Sequence, residues 1–336
     1  MKEISSPVKR LFIIANTTHY LNVNTYVDSH ETGENYIVLT IRRFEGYQDF
    51  IERVKANSNL KLLKVIFVDQ KKKKPFHYID IFKIIGEIKW LCFSHSTFDE
   101  IFFTNYNSWV QHYILRQFHP RRIILISDGT GIFTIAELRK KDVSIPFDGS
   151  KAFVEKVLGL TSIKNLHIYS QVDIDVANHD TIEVFRFKSS NSVSVDSKKI
   201  FFVGSPLVEL GYLDRESHIS NLKRIKDQFN DCAFFYFSHR REQDNNLEKY
   251  RFFGEIMRDD IPFEERMEKE QKSPGIVISY MSSILINLPQ VFPQIQFYYL
   301  QLDKGEIVSD SEFDSRYENL EREFKKIDLP NFKSLN

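Results

Sequence analysis

Several features that would assign a chain to a familiar class are missing from this sequence. Its 336 residues include only two cysteines, Cys92 and Cys232, which cannot form a disulfide framework or, by themselves, a four-ligand metal site. The 46 Lys and Arg residues balance 46 Asp and Glu residues, so there is no net charge to attract nucleic acid. No run of about 18 apolar residues could span a bilayer, and the N-terminal apolar segment is too short for a signal peptide. We therefore expect a soluble protein of the reducing cytoplasm, free or attached peripherally to the inner face of the membrane.

The common motifs of nucleotide-binding and hydrolytic enzymes are absent too. There is no GxxxxGK[ST] phosphate loop, no GxGxxG after the first predicted strand and no GxSxG nucleophile elbow. HExxH and CxxC are missing, and the ten histidines show no paired metal spacing, so we expect neither a metal nor another cofactor. These absences argue against a P-loop NTPase, a standard dinucleotide-binding enzyme, a zinc enzyme and an α/β-hydrolase.

Short apolar runs alternate with helical segments along most of the chain, a pattern that favours βαβ units and parallel sheets. The length suffices for two domains. The Ser-, Asn- and Asp-rich segment 189–199 predicts a linker. We therefore predict an α/β protein with two Rossmann-like domains facing across a cleft: residues 1–190, residues 199–310, and a C-terminal helix and tail at 311–336.

Polar clusters follow four of the predicted strands. Open α/β sheets bind ligands beyond the carboxyl ends of their strands, so these clusters are the first candidates for a site. Glycines there allow close backbone approach, serines at a helix N-terminus suit a phosphate, and arginines add positive charge. A nucleotide phosphate is the natural ligand, and because the motifs of the common alternatives are absent, we expect a transferase that uses a nucleotide-activated donor. The four clusters are Asp128 with Gly129, Gly204 with Ser205, His239 to Glu242, and Ser282 with Ser283.

Each cluster also has an interpretation that involves no ligand. An Asp-Gly pair is more often a turn than a catalytic base, and paired serines usually cap the helix that they open. His239 could be a structural histidine, while Arg241 and Glu242 could form a surface ion pair. The separate clusters leave these alternatives open.

In combination, the clusters resemble the bacterial sialyltransferases, especially the lipooligosaccharide sialyltransferase family (glycosyltransferase family 52) and its polysialyltransferase relatives. Those enzymes carry an acidic motif ending in glycine, then a histidine-proline motif, then a serine pair. Two positions depart from the pattern: Ser127 stands where the first acidic residue is usual, and Arg240 where proline follows the histidine. The likeness covers most of the chain, and the segments that carry it are ISDGTG (126–131), GSPLVE (204–209), FSHRRE (237–242), Pro262 to Glu264 and YMSS (280–283).

The resemblance implies a GT-B fold and an inverting, metal-independent transfer of sialic acid from CMP-sialic acid to a glycan hydroxyl, with a terminal galactose of a bacterial surface glycan such as lipooligosaccharide or capsule as the expected acceptor. It assigns Asp128 as general base and His239 as acid or hydrogen-bond partner of the leaving phosphate. The donor-binding residues that it implies are Gly204, Ser205, Glu264, Ser282 and Ser283, and we add Arg240 for its positive charge beside His239.

Three other functions remain open from the sequence. The donor could be another CMP-activated acid, such as Kdo or pseudaminic acid. The chain could instead be an inactive GT-B protein that binds nucleotide or glycan, with Ser127 and Arg240 as signs of motif decay. A transferase that uses a UDP-sugar is the third.

Overall fold

The computed structural model describes most of the chain, and Asp128 lies among the residues outside this description. The chain separates into two compact units, Met1–Asp128 with Ile135–Phe185, and Gly129–Thr134 with Arg186–Asn336. No helix in the described part is long and apolar enough to cross a membrane. The described residues are 7–30, 33–43, 46–68, 76–95, 97–127, 129–143, 156–186, 194–258, 263–270, 272–303, 305–308 and 311–335.

A seven-stranded parallel sheet forms the centre of the first unit, with the strand order β3-β2-β1-β4-β5-β6-β7. Its central strands are continuous apolar runs because helices cover both faces of a parallel sheet. The elements are β1 (Lys9–Ile14), α1 (Thr17–Ser29), β2 (Glu34–Ile41), α2 (Tyr47–Lys55), β3 (Lys61–Phe67), α3 (Phe76–Ser94), β4 (Glu100–Phe103), α4 (Trp109–Phe118), β5 (Arg122–Ile126), α5 (Gly131–Lys140), β6 (His167–Ser170) and β7 (Thr181–Val184). The first four residues of α5 group with the second unit.

The second unit contains a six-stranded parallel sheet with the order β10-β9-β8-β11-β12-β13. Its core is rich in aromatic rings, including Phe202, Tyr236 and Phe253. The elements are β8 (Val195–Val203), α6 (Arg215–Gln228), β9 (Ala233–Phe237), α7 (Asp244–Tyr250), β10 (Glu255–Met257), α8 (Phe263–Lys269), β11 (Ser273–Ser279), α9 (Ile284–Val291), β12 (Gln296–Leu300), α10 (Ser311–Phe324) and β13 (Phe332–Leu335).

Both sheets have the Rossmann order, in which the sequence of strands reverses beside the first strand. The prediction of two Rossmann-like α/β domains is thus confirmed. In the second unit the reversal lies between β8 and β11, and ligands bind at such a switch point in open α/β sheets.

The structure differs from the sequence-based elements mainly at short or polar segments. β8 begins at Val195, inside the segment that composition assigns to a linker, because its polar start pairs with Ser273 and Pro274 of β11. Composition does not reveal such pairing partners. The pattern also gives no signal for β10 and β13, short strands whose pairing with β9 and β12 supplies their stability.

Candidate active site

Three of the predicted polar clusters lie at one edge of the second sheet. β9, β8 and β11 are adjacent and parallel, with Val203 of β8 paired to both Phe237 and Ser279. The residues that follow these strands therefore emerge side by side, and those after β8 and β11 flank the switch point. The sequence-predicted clusters at Gly204, His239 and Ser282 share this edge.

Glu242 is the buried centre of this edge, with only 3 % of its surface exposed. Its Oε1 accepts a hydrogen bond from the Tyr236 hydroxyl at 2.6 Å, and its Oε2 accepts one from the backbone N–H of His239 at 2.5 Å. Glu242 therefore does not form the surface ion pair with Arg241 that the sequence left open. Glu242 instead fixes the main chain at His239.

Burial changes the acid–base behaviour of Glu242. Removal of its carboxylate from water raises its pKa to about 7, although the hydrogen bonds from Tyr236 and His239 act in the opposite direction. The nearby Glu209 carboxylate adds to the increase. Glu242 therefore changes its charge near neutral pH.

Gly204 has a structural reason to be glycine. A Cβ at this position would collide with the Glu242 carboxylate, and it would lie 2.9 Å from the Tyr236 hydroxyl. The Gly204 N–H donates to the carbonyl of Phe237 at 2.8 Å, which holds the two strand ends together. The absent side chain makes room for Glu242, whereas the predicted contact of Gly204 with a donor stays a prediction.

The ring of His239 is held in one tautomer. Its Nδ1 accepts a hydrogen bond from the backbone N–H of Arg241 at 3.1 Å, so the proton of the neutral ring is on Nε2. Partial burial lowers the pKa of His239, and the positive charges of Arg240 and Arg241 lower it further. His239 thus presents a neutral Nε2–H donor beside two arginines.

A chain of buried hydrogen bonds extends from Glu242 into the core. His218 Nε2 lies 3.2 Å from the Tyr236 hydroxyl, and His218 Nδ1 lies 2.5 Å from the Tyr280 hydroxyl. Burial lowers the pKa of His218 to about 3, so the ring is neutral. Because Tyr236 donates to Glu242, a consistent arrangement has His218 donating to Tyr236 and accepting from Tyr280.

Glu209 connects the segment after β8 with the segment after β9. Its Oε1 accepts hydrogen bonds from the Gln243 N–H at 3.1 Å and from the Asn246 side chain at 2.8 Å. Gln243 is the N-cap of α7 but makes no side-chain cap, so Glu209 supplies an acceptor to this helix start. The last residue of GSPLVE is therefore hydrogen-bonded to the start of α7, directly after FSHRRE.

The serine pair opens α9 without the usual cap. Ser283 occupies the N-cap position, but its side chain makes no capping hydrogen bond. The predicted contact of this hydroxyl and of the helix N-terminus with a phosphate stays a prediction. Gly129, which has a φ of 60° and groups with this unit, packs so closely against Ser283 that a Cβ there would clash.

The remaining predicted donor-binding residues lie around this edge. Ser205 begins the turn after β8 and is partly exposed, and Arg240 is exposed beside His239. Glu264 lies in α8, whose first residue, Phe263, packs its ring against Phe237 at the end of β9. Their assignment to donor binding stays a prediction.

Asp128, the predicted base, lies outside the described residues, and its predecessor Ser127 lies within them. The Ser127 carbonyl accepts a hydrogen bond from the side chain of buried Asn22 at 3.1 Å, and its N–H donates to Tyr169 at 2.8 Å. Asn22 Oδ1 in turn accepts from Gln171 at 3.2 Å. Buried amides of the first unit therefore fix the backbone up to the residue before Asp128.

A separate cavity of about 920 Å³ lies entirely in the first unit. Its wall includes Arg122, His167 and Thr181, at the amino ends of β5, β6 and β7, and none of the predicted site residues lines it. It is therefore at the edge of the first sheet opposite to the one where an α/β fold normally binds its substrate.

Within the described ranges there is no group of three or more His, Cys, Asp or Glu side chains arranged to hold a metal ion. The prediction that the protein works without a cofactor is not tested by that observation.

Sequence reasoning missed the roles of Glu242, Glu209 and His218. A signal for Glu242 exists in the sequence, because a glutamate three residues after a turn residue commonly reaches back to that residue's N–H, as in a capping box. Glu209 and His218 give no such local signal, since their partners come from other elements.

Comparisons with known proteins agree with this two-domain architecture. The family profile described as alpha-2,8-polysialyltransferase (POLYST) matches residues 10–301. No curated protein sequence matches the chain.

Solved structures share the fold at low sequence identity. An alpha/beta-galactoside alpha-2,3-sialyltransferase from Photobacterium phosphoreum has a TM-score of 0.51 at 13% identity, over 98% of this chain and 99% of that one. A putative UDP-N-acetylglucosamine 2-epimerase from Listeria monocytogenes has a TM-score of 0.54 at 13% identity, over 95% and 87%. An Arabidopsis thaliana protein complexed with UDP-L-rhamnose has a TM-score of 0.53 at 10% identity, over 98% and 86%. The predicted GT-B fold is confirmed.

Proposed function

Because the chain belongs to the alpha-2,8-polysialyltransferase family and is thus a glycosyltransferase, we propose that it moves a sialyl residue from CMP-sialic acid to a glycan hydroxyl with inversion and without a metal. Nucleotide-sugar donor and glycan acceptor follow from the family. Which donor and which acceptor the protein uses, and the mechanism of transfer, are our proposal.

The orientation of the His239 ring is the observation that carries the proposal. Since Nδ1 is engaged by the Arg241 N–H, the Nε2–H is the group that can meet a ligand. In the proposed reaction the C2–O bond to CMP breaks and its electron pair stays on the phosphate. A neutral N–H donor stabilises that growing charge without having to lose a proton. His239 thus acts as a hydrogen-bond donor, the second of the two roles that the resemblance implies for it.

Two further features of the same edge suit a monophosphate. The hydroxyls of Ser282 and Ser283 and the N-terminus of α9 follow the strand next to β8, and Arg240 contributes a guanidinium near His239. CMP-sialic acid carries one phosphate and lacks the diphosphate that usually recruits Mg²⁺, so we propose that the residues of this edge stabilise its charge without a metal.

Asp128 is the proposed general base. Inversion requires a carboxylate that takes the proton of the acceptor hydroxyl while its oxygen bonds to C2 on the face opposite to CMP. The hydrogen bond from Asn22 to the Ser127 carbonyl supports this role, because it orders the chain that leads into Asp128. The resemblance supplies the assignment of Asp128 itself.

Two acceptors compete in this proposal. The resemblance to lipooligosaccharide enzymes implied a terminal galactose, whereas an alpha-2,8 bond would be formed to another sialic acid. The family description favours the sialylated acceptor, and we propose it.

A transfer assay tests the proposal. The purified full chain is incubated with CMP-sialic acid and either a galactoside or an alpha-2,8-disialylated oligosaccharide, and the products are analysed by mass spectrometry and by NMR of the new linkage. We expect sialyl addition to the sialylated acceptor, unaffected by EDTA. Addition only to the galactoside would contradict the proposed sialylated acceptor. Inhibition by EDTA that Mg²⁺ reverses would contradict the proposed metal independence.

The same assay separates the other functions. Turnover of CMP-Kdo or CMP-pseudaminic acid in place of CMP-sialic acid would identify a different donor. CMP binding without transfer or donor hydrolysis would indicate an inactive binding protein, and tighter binding of UDP than of CMP would indicate a UDP-sugar enzyme.

A further inference from the structure

Helix α3 of the first unit is apolar on two opposite faces. Ile81, Ile84, Ile88 and Leu91 are buried on the inner face, where the helix packs against β3 and α4. A helix that needs only one apolar face to join a domain normally has a polar outer face. The outer face of α3 is not polar, and we call its exposed residues Ile79, Phe82, Trp90 and Phe93 the outer stripe.

The residues of the outer stripe share one side of the helix and are strongly exposed. At about 100° per residue, its four positions fall within an arc of about 80° on the side of the helix opposite to the buried face. The exposed fractions are 61 % for Ile79, 70 % for Phe82, 59 % for Trp90 and 92 % for Phe93. Exposure of three large aromatic side chains to water on one face of a helix is energetically unfavourable and unusual.

Lysines border the outer stripe on both sides. Lys83 and Lys89 are exposed and fall at opposite margins of the arc, and Lys64 of β3 places its Nζ 5.5 Å from the centre of the Trp90 ring. The acidic residues of this part of the helix, Asp80 and Glu87, fall nearer to the buried face. The outward surface thus combines aromatic rings with positive charge at its borders.

We propose that the outer stripe of α3 docks the protein onto an anionic lipid bilayer. The aromatic and aliphatic side chains would enter the boundary between headgroups and acyl chains, while the lysines reach outward to lipid phosphates. This chemistry favours a bilayer over a protein partner, because positive charge on both margins matches a surface that is negative on every side. The helix lies along the membrane rather than across it, since its inner face is committed to β3 and α4. The proposal does not depend on the sialyl transfer proposed above.

Trp90 is a built-in probe for the test. The second tryptophan, Trp109, is buried, so the emission change on lipid binding would come from Trp90. The full chain is titrated with vesicles of phosphatidylcholine alone or with about one third phosphatidylglycerol, at low and at physiological salt. We expect a blue shift and quenching by lipids brominated in the upper acyl chain with anionic vesicles, and at least tenfold weaker binding to neutral ones.

Substitutions test whether vesicle binding comes from the outer stripe or from nonspecific adsorption of the protein. Phe82→Ser with Phe93→Ser should weaken binding to anionic vesicles by roughly tenfold or more, because two aromatic side chains that would enter the bilayer are lost. Lys83→Glu with Lys89→Glu should remove the preference for anionic lipid. Phe252→Ser, a change at an exposed aromatic residue of the second unit, is the matched control and should leave binding unchanged.

Two results would overturn the proposal. One is the absence of any vesicle-dependent change in Trp90 emission while a thermal melt shows the protein folded. The other is self-association, measured by light scattering, that the two serine substitutions abolish without any lipid binding, because a second copy of the chain would then cover the stripe. In either case the transfer assay with soluble acceptors would still report on the proposed activity.

Discussion

The Glu242 carboxylate holds the main chain of His239, accepting its backbone N–H at 2.5 Å through Oε2. A buried acid with a pKa near 7 therefore lies directly behind the histidine proposed to meet the leaving phosphate. This relationship couples the geometry of the site to pH, although neither residue needs to exchange a proton with substrate.

The first prediction concerns stability in Glu242→Gln. The folded protein retains the proton on Glu242 until about pH 7, whereas the unfolded chain releases it near the ordinary value of 4.5. The native state is therefore progressively destabilised as pH rises through this window. Relative to the variant, the wild type should lose roughly 2–3 kcal/mol of unfolding free energy between about pH 5 and pH 8.

Urea unfolding at several pH values measures this difference. Glu52→Gln, at an exposed glutamate of α2, is the control and should give a curve parallel to the wild type. If the Glu242→Gln and wild-type curves are also parallel, Glu242 does not titrate near neutrality.

The second prediction concerns the tautomer of His239. At pH 6.5, where an unperturbed histidine would be half protonated, His239 should be mostly neutral and carry its proton on Nε2, because burial and the adjacent arginines disfavour the imidazolium. Long-range proton–nitrogen NMR of the ¹⁵N-labelled protein, assigned with His239→Gln, reports this directly. A proton on Nδ1 at that pH would contradict the geometry.

The third prediction concerns catalysis by Asp128 and His239. Asp128→Asn should reduce sialyl transfer by roughly a hundredfold or more but leave CMP affinity nearly unchanged, because the base acts on the acceptor. His239→Ala should lower transfer by a similar factor and also weaken CMP binding, because the donor phosphate loses a hydrogen bond. Steady-state rates and calorimetry with CMP separate the two effects. Near-normal turnover by either folded variant would refute its assigned role.

The fourth prediction separates helix capping from ligand binding at Ser283. Ser283→Ala should change the unfolding free energy by less than about 0.5 kcal/mol, because the side chain makes no cap, yet raise the KM for donor several-fold. Asp214→Ala is the contrast: Asp214 caps α6 by accepting from the Ser217 N–H at 3.1 Å, and its loss should cost about 1 kcal/mol. Equal destabilisation by the two changes would mean that Ser283 does cap α9.

The fifth prediction compares two glycines. Gly204→Ala should destabilise the protein by at least about 2 kcal/mol, because its Cβ would push the Glu242 carboxylate away from its two donors. Gly86→Ala in α3 has no atom within 4 Å of the new Cβ and should instead stabilise the helix by about 0.5–1 kcal/mol. Chemical denaturation of both variants checks the opposite signs.

Much of the fold could be predicted because periodicity is a local property. The apolar runs RIILI at 122–126 and QFYYL at 296–300, which their alternation with helical segments marks as strands, form β5 and β12. Segments stabilised by distant partners gave no comparable signal. α5 lies in a stretch without clear amphipathic spacing, and its Arg139 is stabilised by buried Asp180, 41 residues away.

The sequence by itself determined the parallel α/β architecture, the polar clusters that end its strands, and the order of motifs that leads to the sialyltransferases. Each follows from alternation and spacing within a few residues of the chain. Only the tertiary structure decided what Glu242 does. Its two donors are Tyr236 on β9 and the backbone of His239, and the space that it fills exists because Gly204, directly after β8, has no side chain. Burial by the surrounding fold then raised its pKa, a property that depends on the absence of water and is not encoded at any single position.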